Sequence, residues 1–90
     1  MTHVLSKRDR RYPRRIEAID GAEIVLKDTD GDGDADLEVR VRDRQVCKIR
    51  EKTVGYSTVF RGRSGRSFRL TILAIHHPTR TVKIAVSPGE

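Results

Sequence analysis

The chain has a single cysteine, no tryptophan, two tyrosines, two phenylalanines and no long apolar run. A lone Cys47 excludes an internal disulfide and any all-cysteine metal cluster within one chain. Four aromatics among 90 residues imply an aliphatic core and leave little with which to stack bases. No segment approaches the ~18 apolar residues of a membrane-spanning helix, so no membrane partner is expected. At the N-terminus, MTHVLSKRDRRYPRR offers only Val4-Leu5, whereas a secretory signal needs ~7–15 apolar residues. The expectation is a protein made in the cytoplasm without a signal peptide.

Helical periodicity is missing as well. What remains is a period of two. In LEVRVR, Leu37, Val39 and Val41 alternate with Glu38, Arg40 and Arg42. In SFRLTILAI, Phe68, Leu70, Ile72 and Ala74 alternate with Ser67, Arg69, Thr71 and Leu73. In TVKIAV, Val82, Ile84 and Val86 do the same, and shorter candidates are RIEAI (15–19), EIVLK (23–27), QVCKI (45–49) and VGYSTVF (54–60). Asp20-Gly21 signals a tight hairpin and His77-Pro78-Thr79-Arg80 fits a type I turn. Arg61-Gly-Arg-Ser-Gly-Arg66 reads as a loop between strands. The fold class predicted is all-β: roughly six to seven short strands in a small antiparallel β-barrel or sandwich spanning residues 14–90. Residues 1–13, polar and basic without apolar periodicity, are predicted to be a flexible basic arm. One domain of this length sits near the lower limit for a self-sufficient core, so a bound ion or an oligomeric contact would add stability.

Charge is unevenly placed. The net charge is +6, and 14 of the 19 bases are arginine, which favours bidentate contact with phosphate or carboxylate. Yet six of the 13 acids fall within residues 28–38, DTDGDGDADLE. Asp28, Asp30 and Asp32 stand at relative positions 1, 3 and 5, Gly33 at position 6, the carbonyl of Asp34 at position 7 and Asp36 at position 9. Ca²⁺ prefers six to eight hard oxygen ligands, and alternate side chains of a tight loop converge on such an ion. An EF-hand requires Glu at position 12, where this chain has Val39, and its flanks are strand-like rather than helical.

These residues resemble the D-x-D-x-D-G-x-x-D calcium loop set between β-strands in the propellers of integrin α-subunits and in related bacterial surface repeats. The resemblance covers residues 28–37, and those families repeat the unit where this chain has one copy. It implies Ca²⁺ held at a hairpin tip by Asp28, Asp30, Asp32, Asp36 and the backbone carbonyl of Asp34. Two other readings stand beside it: a solvated acidic turn, and a loop docked on the arginine-rich surface within the chain or between subunits.

The basic candidates are Arg8, Arg10, Arg11, Arg14 and Arg15 in and just after the arm, Arg40, Arg42 and Arg69 on strands, and Arg61, Arg63 and Arg66 in the glycine-containing loop. They suit either DNA or RNA phosphates, contacted without sequence specificity and with Tyr12, Tyr56 or Phe60 for stacking, or an acidic protein surface, including a second copy in an oligomer. His76 and His77 alternate in direction along a strand and do not share an ion. Ser64 lacks a neighbouring base, and no paired-carboxylate acid–base site lies outside the aspartate stretch. Enzymatic activity is not expected.

Two functional classes follow. In the first, the protein is a structural or assembly module. Hairpin calcium loops work where Ca²⁺ is millimolar, and a virion protein of the decoration, connector or tail kind is made in the cytoplasm and meets such calcium after lysis. In the second, it is a cytoplasmic nucleic-acid-binding β-barrel. The positions of Arg40, Arg42, Lys48, Arg69 and Lys83 discriminate: one continuous face favours nucleic acid, and scatter favours assembly.

Overall fold

The alternation read along the chain becomes two four-stranded antiparallel sheets in the computed structural model, which describes residues 1–29, 33–76 and 78–89. The strands are β1 (Thr2–Ser6), β2 (Arg15–Glu17), β3 (Ala22–Thr29), β4 (Ala35–Val41), β5 (Arg44–Lys52), β6 (Ser57–Arg61), β7 (Ser67–His76) and β8 (Thr81–Pro88). One sheet has the order β1-β8-β7-β6 and the other β2-β3-β4-β5. Among the described residues there is no helix. The two inner faces share one aliphatic cluster in which Leu5, Ile24, Leu26, Leu37, Ile49, Leu70, Ile72 and Ile84 are sealed from solvent. Within the range expected from the sequence, the architecture is a small all-β sandwich with unclosed sheets.

The first thirteen residues are not a free arm. β1 adds to the edge of β8 with Leu5 opposite Val82, and Leu5 is fully buried. Burying that side chain is worth ~1.5–3 kcal/mol, enough to hold a strand that pairs along one edge only. It also makes eight strands where the sequence suggested six or seven. Residues 7–14 then form a loop closed by its own backbone: Ser6 N–H donates to the Pro13 carbonyl (2.9 Å) and Leu26 N–H to the Arg14 carbonyl (2.8 Å). Ser6 Oγ accepts from Asp9 N–H (2.9 Å) and donates to the Thr79 carbonyl (2.9 Å), tying this loop to the β7–β8 connection. Two apolar residues before a basic run carried too weak a period to reveal the strand.

Three local details set the positions of the functional side chains. Asp20 and Gly21 both take positive φ (55° and 74°) in the β2–β3 turn, where Ala22 N–H closes on the Ile19 carbonyl at 3.1 Å. β4 ends at Val41, so Arg42 (φ 53°) and Asp43 (φ 62°) are turn residues rather than a continuation of the LEVRVR strand. In β7 a bulge between Ile72 and Ala74 breaks the alternation. Leu73 and Ala74 consequently face solvent, contrary to the buried place expected for Ala74, and Ile75 packs against the core instead.

Candidate functional site

β3 and β4 run antiparallel with Asp28 opposite Asp36 and Thr29 opposite Ala35. That pairing brings relative positions 1 and 9 of the aspartate stretch side by side, as a hairpin tip requires. Asp30 and Asp32, the expected ligands at positions 3 and 5, lie outside the described residues. Around the tip, Asp28, Thr29, Asp34, Asp36 and Glu51 line a small cavity of about 100 Å³. Glu51 was not foreseen. It arrives from β5, which pairs with β4, and its N–H donates to Asp36 Oδ1 at 2.7 Å. No local pattern in the sequence announces that contact, because only the β4–β5 register creates it.

Asp28 is partly satisfied by the protein itself. Its Oδ1 accepts from Lys7 Nζ (3.0 Å) and from Thr29 N–H (2.9 Å), with Arg80 Nη1 at 3.8 Å. The Lys7 hydrogen bond and charge hold its carboxyl below the usual carboxylate range. The alternative of a loop docked within the chain thus describes Asp28. Asp34, Asp36 and Glu51 form no ion pair among the described residues.

The described donors are of the type a hard cation prefers, although no three acidic, histidine or cysteine side chains among the described residues converge closely enough to hold a metal ion by themselves. Every described polar side chain lining the cavity ends in oxygen. Thr29 is 1% exposed, and its Oγ1 is buried with no hydrogen-bond partner among the described residues. A buried hydroxyl without a partner is costly, and an ion in the cavity it lines is a partner of the right chemistry.

The basic candidates do not all converge on one surface, though Arg42, Arg61 and Arg63 share a cleft at one end of the sandwich. Arg8, Arg10 and Arg11 belong to the 7–14 loop, where Arg11 forks onto Asp9 at 2.8 and 3.1 Å. Arg14 donates to the carbonyls of Leu26 and Lys27, and Arg15 faces Glu23 at 3.6 Å. Arg40 pairs with Glu38 at 2.6 Å on the outer face of the β2-β3-β4-β5 sheet, which also carries Lys48. Arg69, bonded to Ser57 Oγ at 3.1 Å, and Lys83 are exposed on the outer face of the other sheet. The two faces point away from each other across the core. Of the aromatics considered for stacking, Phe60 is buried against Phe68 (ring centroids 5.9 Å apart) and Tyr56 lies under Lys52 Nζ at 5.2 Å. Tyr12 remains exposed beside Arg11.

At the end of the sandwich opposite the aspartate tip, the β4–β5 turn and the β6–β7 loop form a cleft of about 580 Å³. It is lined by Arg42, Arg44, Arg61 and Arg63 with Val41, Val46 and Gly62. The loop is pinned by Asp20, whose carbonyl accepts from Arg63 N–H (2.8 Å) and whose Oδ2 accepts from Ser64 N–H (3.1 Å) and Ser64 Oγ (2.6 Å). Gly62 allows this approach, since a Cβ there would lie 2.8 Å from the Asp20 Cβ. Arg44 belongs to the cleft but was not among the sequence candidates, while Arg66 lies outside it, in a neighbouring depression with Phe68 and Pro88. Comparison with protein-family models, with curated proteins and with solved structures returns no match for this chain.

Proposed function

We propose that the protein is a non-catalytic assembly module whose Asp-rich hairpin binds Ca²⁺. The observation carrying this reading is the separation of its charges. The strand bases lie on opposite faces of the sandwich, which gives a nucleic-acid backbone no continuous track, while carboxylates from β3, β4 and β5 gather at one tip. Asp28, Asp34, Asp36, Glu51 and the Thr29 hydroxyl are the described groups that would hold the ion. When bound, it would neutralise their mutual repulsion and link β5 to the β3–β4 hairpin.

Thermal unfolding in EDTA and in millimolar Ca²⁺ tests the site. At ~100 times the dissociation constant, one native-state site adds roughly 2.7 kcal/mol, a rise of ~10 °C or more for a domain of this size. The rise is expected to disappear in Asp34→Asn/Asp36→Asn. A melting temperature indifferent to Ca²⁺ in the unsubstituted protein would refute the metal site.

A further inference from the structure

The arginine cleft is conspicuous for what it lacks. Six bases elsewhere are coupled to acids: Lys7 and Arg80 to Asp28, Arg11 to Asp9, Arg15 to Glu23, Lys27 and Arg40 to Glu38. Others, Arg8, Arg10, Lys48, Arg50 and Lys83 among them, form no ion pair among the described residues; the cleft differs in bringing four such arginines together with no acid in its lining. Among the described residues, Arg42, Arg44, Arg61 and Arg63 take part in no ion pair and donate no side-chain hydrogen bond, and no carboxylate lines their cleft. Arg42 and Arg63 also border an adjoining groove with Glu17, Glu23 and Asp43, but Arg44 and Arg61 do not. Asp20 approaches the β6–β7 loop through Ser64, which holds its carboxyl below the usual range, and Asp43, between Arg42 and Arg44 in the chain, borders the adjoining groove and not the cleft.

The matching excess of negative charge lies on the same chain, where its own cleft cannot reach it. β3 has eight residues and joins the Asp20-Gly21 end to the aspartate tip, which puts ~25 Å between the two at ~3.3 Å per residue. The screening length at physiological salt is ~8 Å, so neither end relieves the other within one molecule. Asp34, Asp36 and Glu51, in no ion pair among the described residues, stand where β3, β4 and β5 end side by side. The arginine cleft lies between two loops, has Val41 and Val46 in its lining and offers forked donors suited to carboxylates. A tip and a complementary cleft at opposite ends of one chain make a heterologous, head-to-tail contact.

We infer that the cleft lined by Arg42, Arg44, Arg61 and Arg63 receives the aspartate tip of a second copy of this chain. The inference names the partner implied by the assembly reading and does not depend on calcium. Filling the tip with Ca²⁺ lowers its charge, so the ion acts against docking.

The test uses two charge reversals, Arg44→Glu/Arg61→Glu in the cleft and Asp34→Lys/Asp36→Lys at the tip, followed by sedimentation velocity in EDTA at low salt. The unsubstituted protein is expected to form species that grow with concentration and shrink with added salt. Each variant alone is expected to weaken association at least tenfold. Mixed in equal amounts, the two are expected to recover association, because the intact tip of the first meets the intact cleft of the second and the reversed tip and cleft are again opposite in charge. Circular dichroism establishes that each variant is folded. Where one is not, the neutral pairs Arg44→Gln/Arg61→Gln and Asp34→Asn/Asp36→Asn take its place with the same expectation. Variants that associate like the unsubstituted protein, or folded variants that do not pair when mixed, overturn the inference. So does an unsubstituted protein that stays monomeric and instead binds a single-stranded oligonucleotide through the cleft. These results leave the calcium site standing or falling on its own melt, which needs no association.

Discussion

Thr29→Val isolates one atom of the aspartate tip. The substitution keeps the β-branched shape that suits a strand and removes Oγ1, which is buried without a partner among the described residues. Leaving a hydroxyl buried and unpaired costs ~1–3 kcal/mol, so in the absence of metal the valine variant is expected to be the more stable by ~1–2 kcal/mol. At ~2.1 cal/mol/K per residue, this chain has an unfolding entropy of about 0.19 kcal/mol/K, and the gain corresponds to a rise of roughly 5–10 °C. In saturating Ca²⁺ the comparison changes, because the variant has lost an oxygen donor. The calcium-induced rise should be smaller in Thr29→Val than in the unsubstituted protein. Differential scanning calorimetry of both proteins, with EDTA and with millimolar Ca²⁺, gives the four numbers needed. A valine variant that melts lower in EDTA would show that the hydroxyl is already satisfied, and the reasoning that makes it a donor to the ion would fail.

Acid stability should fall in two stages. Burial, reinforced by the N-terminal charge, pushes the His3 imidazole below its ordinary value, so the unfolded chain takes up that proton first and stability begins to decline below about pH 6.5. Asp28 (held by Lys7), Asp9 (by Arg11), Asp20 (by Ser64) and Glu38 (by Arg40) are all lowered; their stabilisation is complete above about pH 4 and is lost as the pH falls through their folded-state values. Melting temperatures measured across this range should show the upper stage vanish in His3→Gln; an unchanged profile would refute the assignment. Leu5→Ala should cost ~2–5 kcal/mol, read from the urea midpoint, because Leu5 is fully buried in a strand. No change would mean that the N-terminal residues are a free arm after all.

Sequence alone determined the class of this fold, because a period of two with Asp-Gly and glycine-containing turns admits little besides antiparallel strands. It also placed a hairpin at the aspartate stretch, although Asp28 and Asp36 prove to be paired strand residues of β3 and β4. Burial beyond the reach of local period is what it concealed. β1 declares itself only through Leu5, whose burial exists because β8 and the opposite sheet are there to cover it. The bulge in β7 exchanges Ala74 for Ile75 on the core side, a shift of register that alternation cannot announce. Glu51 joins the aspartates through the β4–β5 register, and Arg44 joins Arg61 and Arg63 because a turn from one sheet meets a loop from the other. Local chemistry is written in neighbouring residues. Which charges meet, and which are left unopposed at opposite ends of a sandwich, was decided by strand order and register alone.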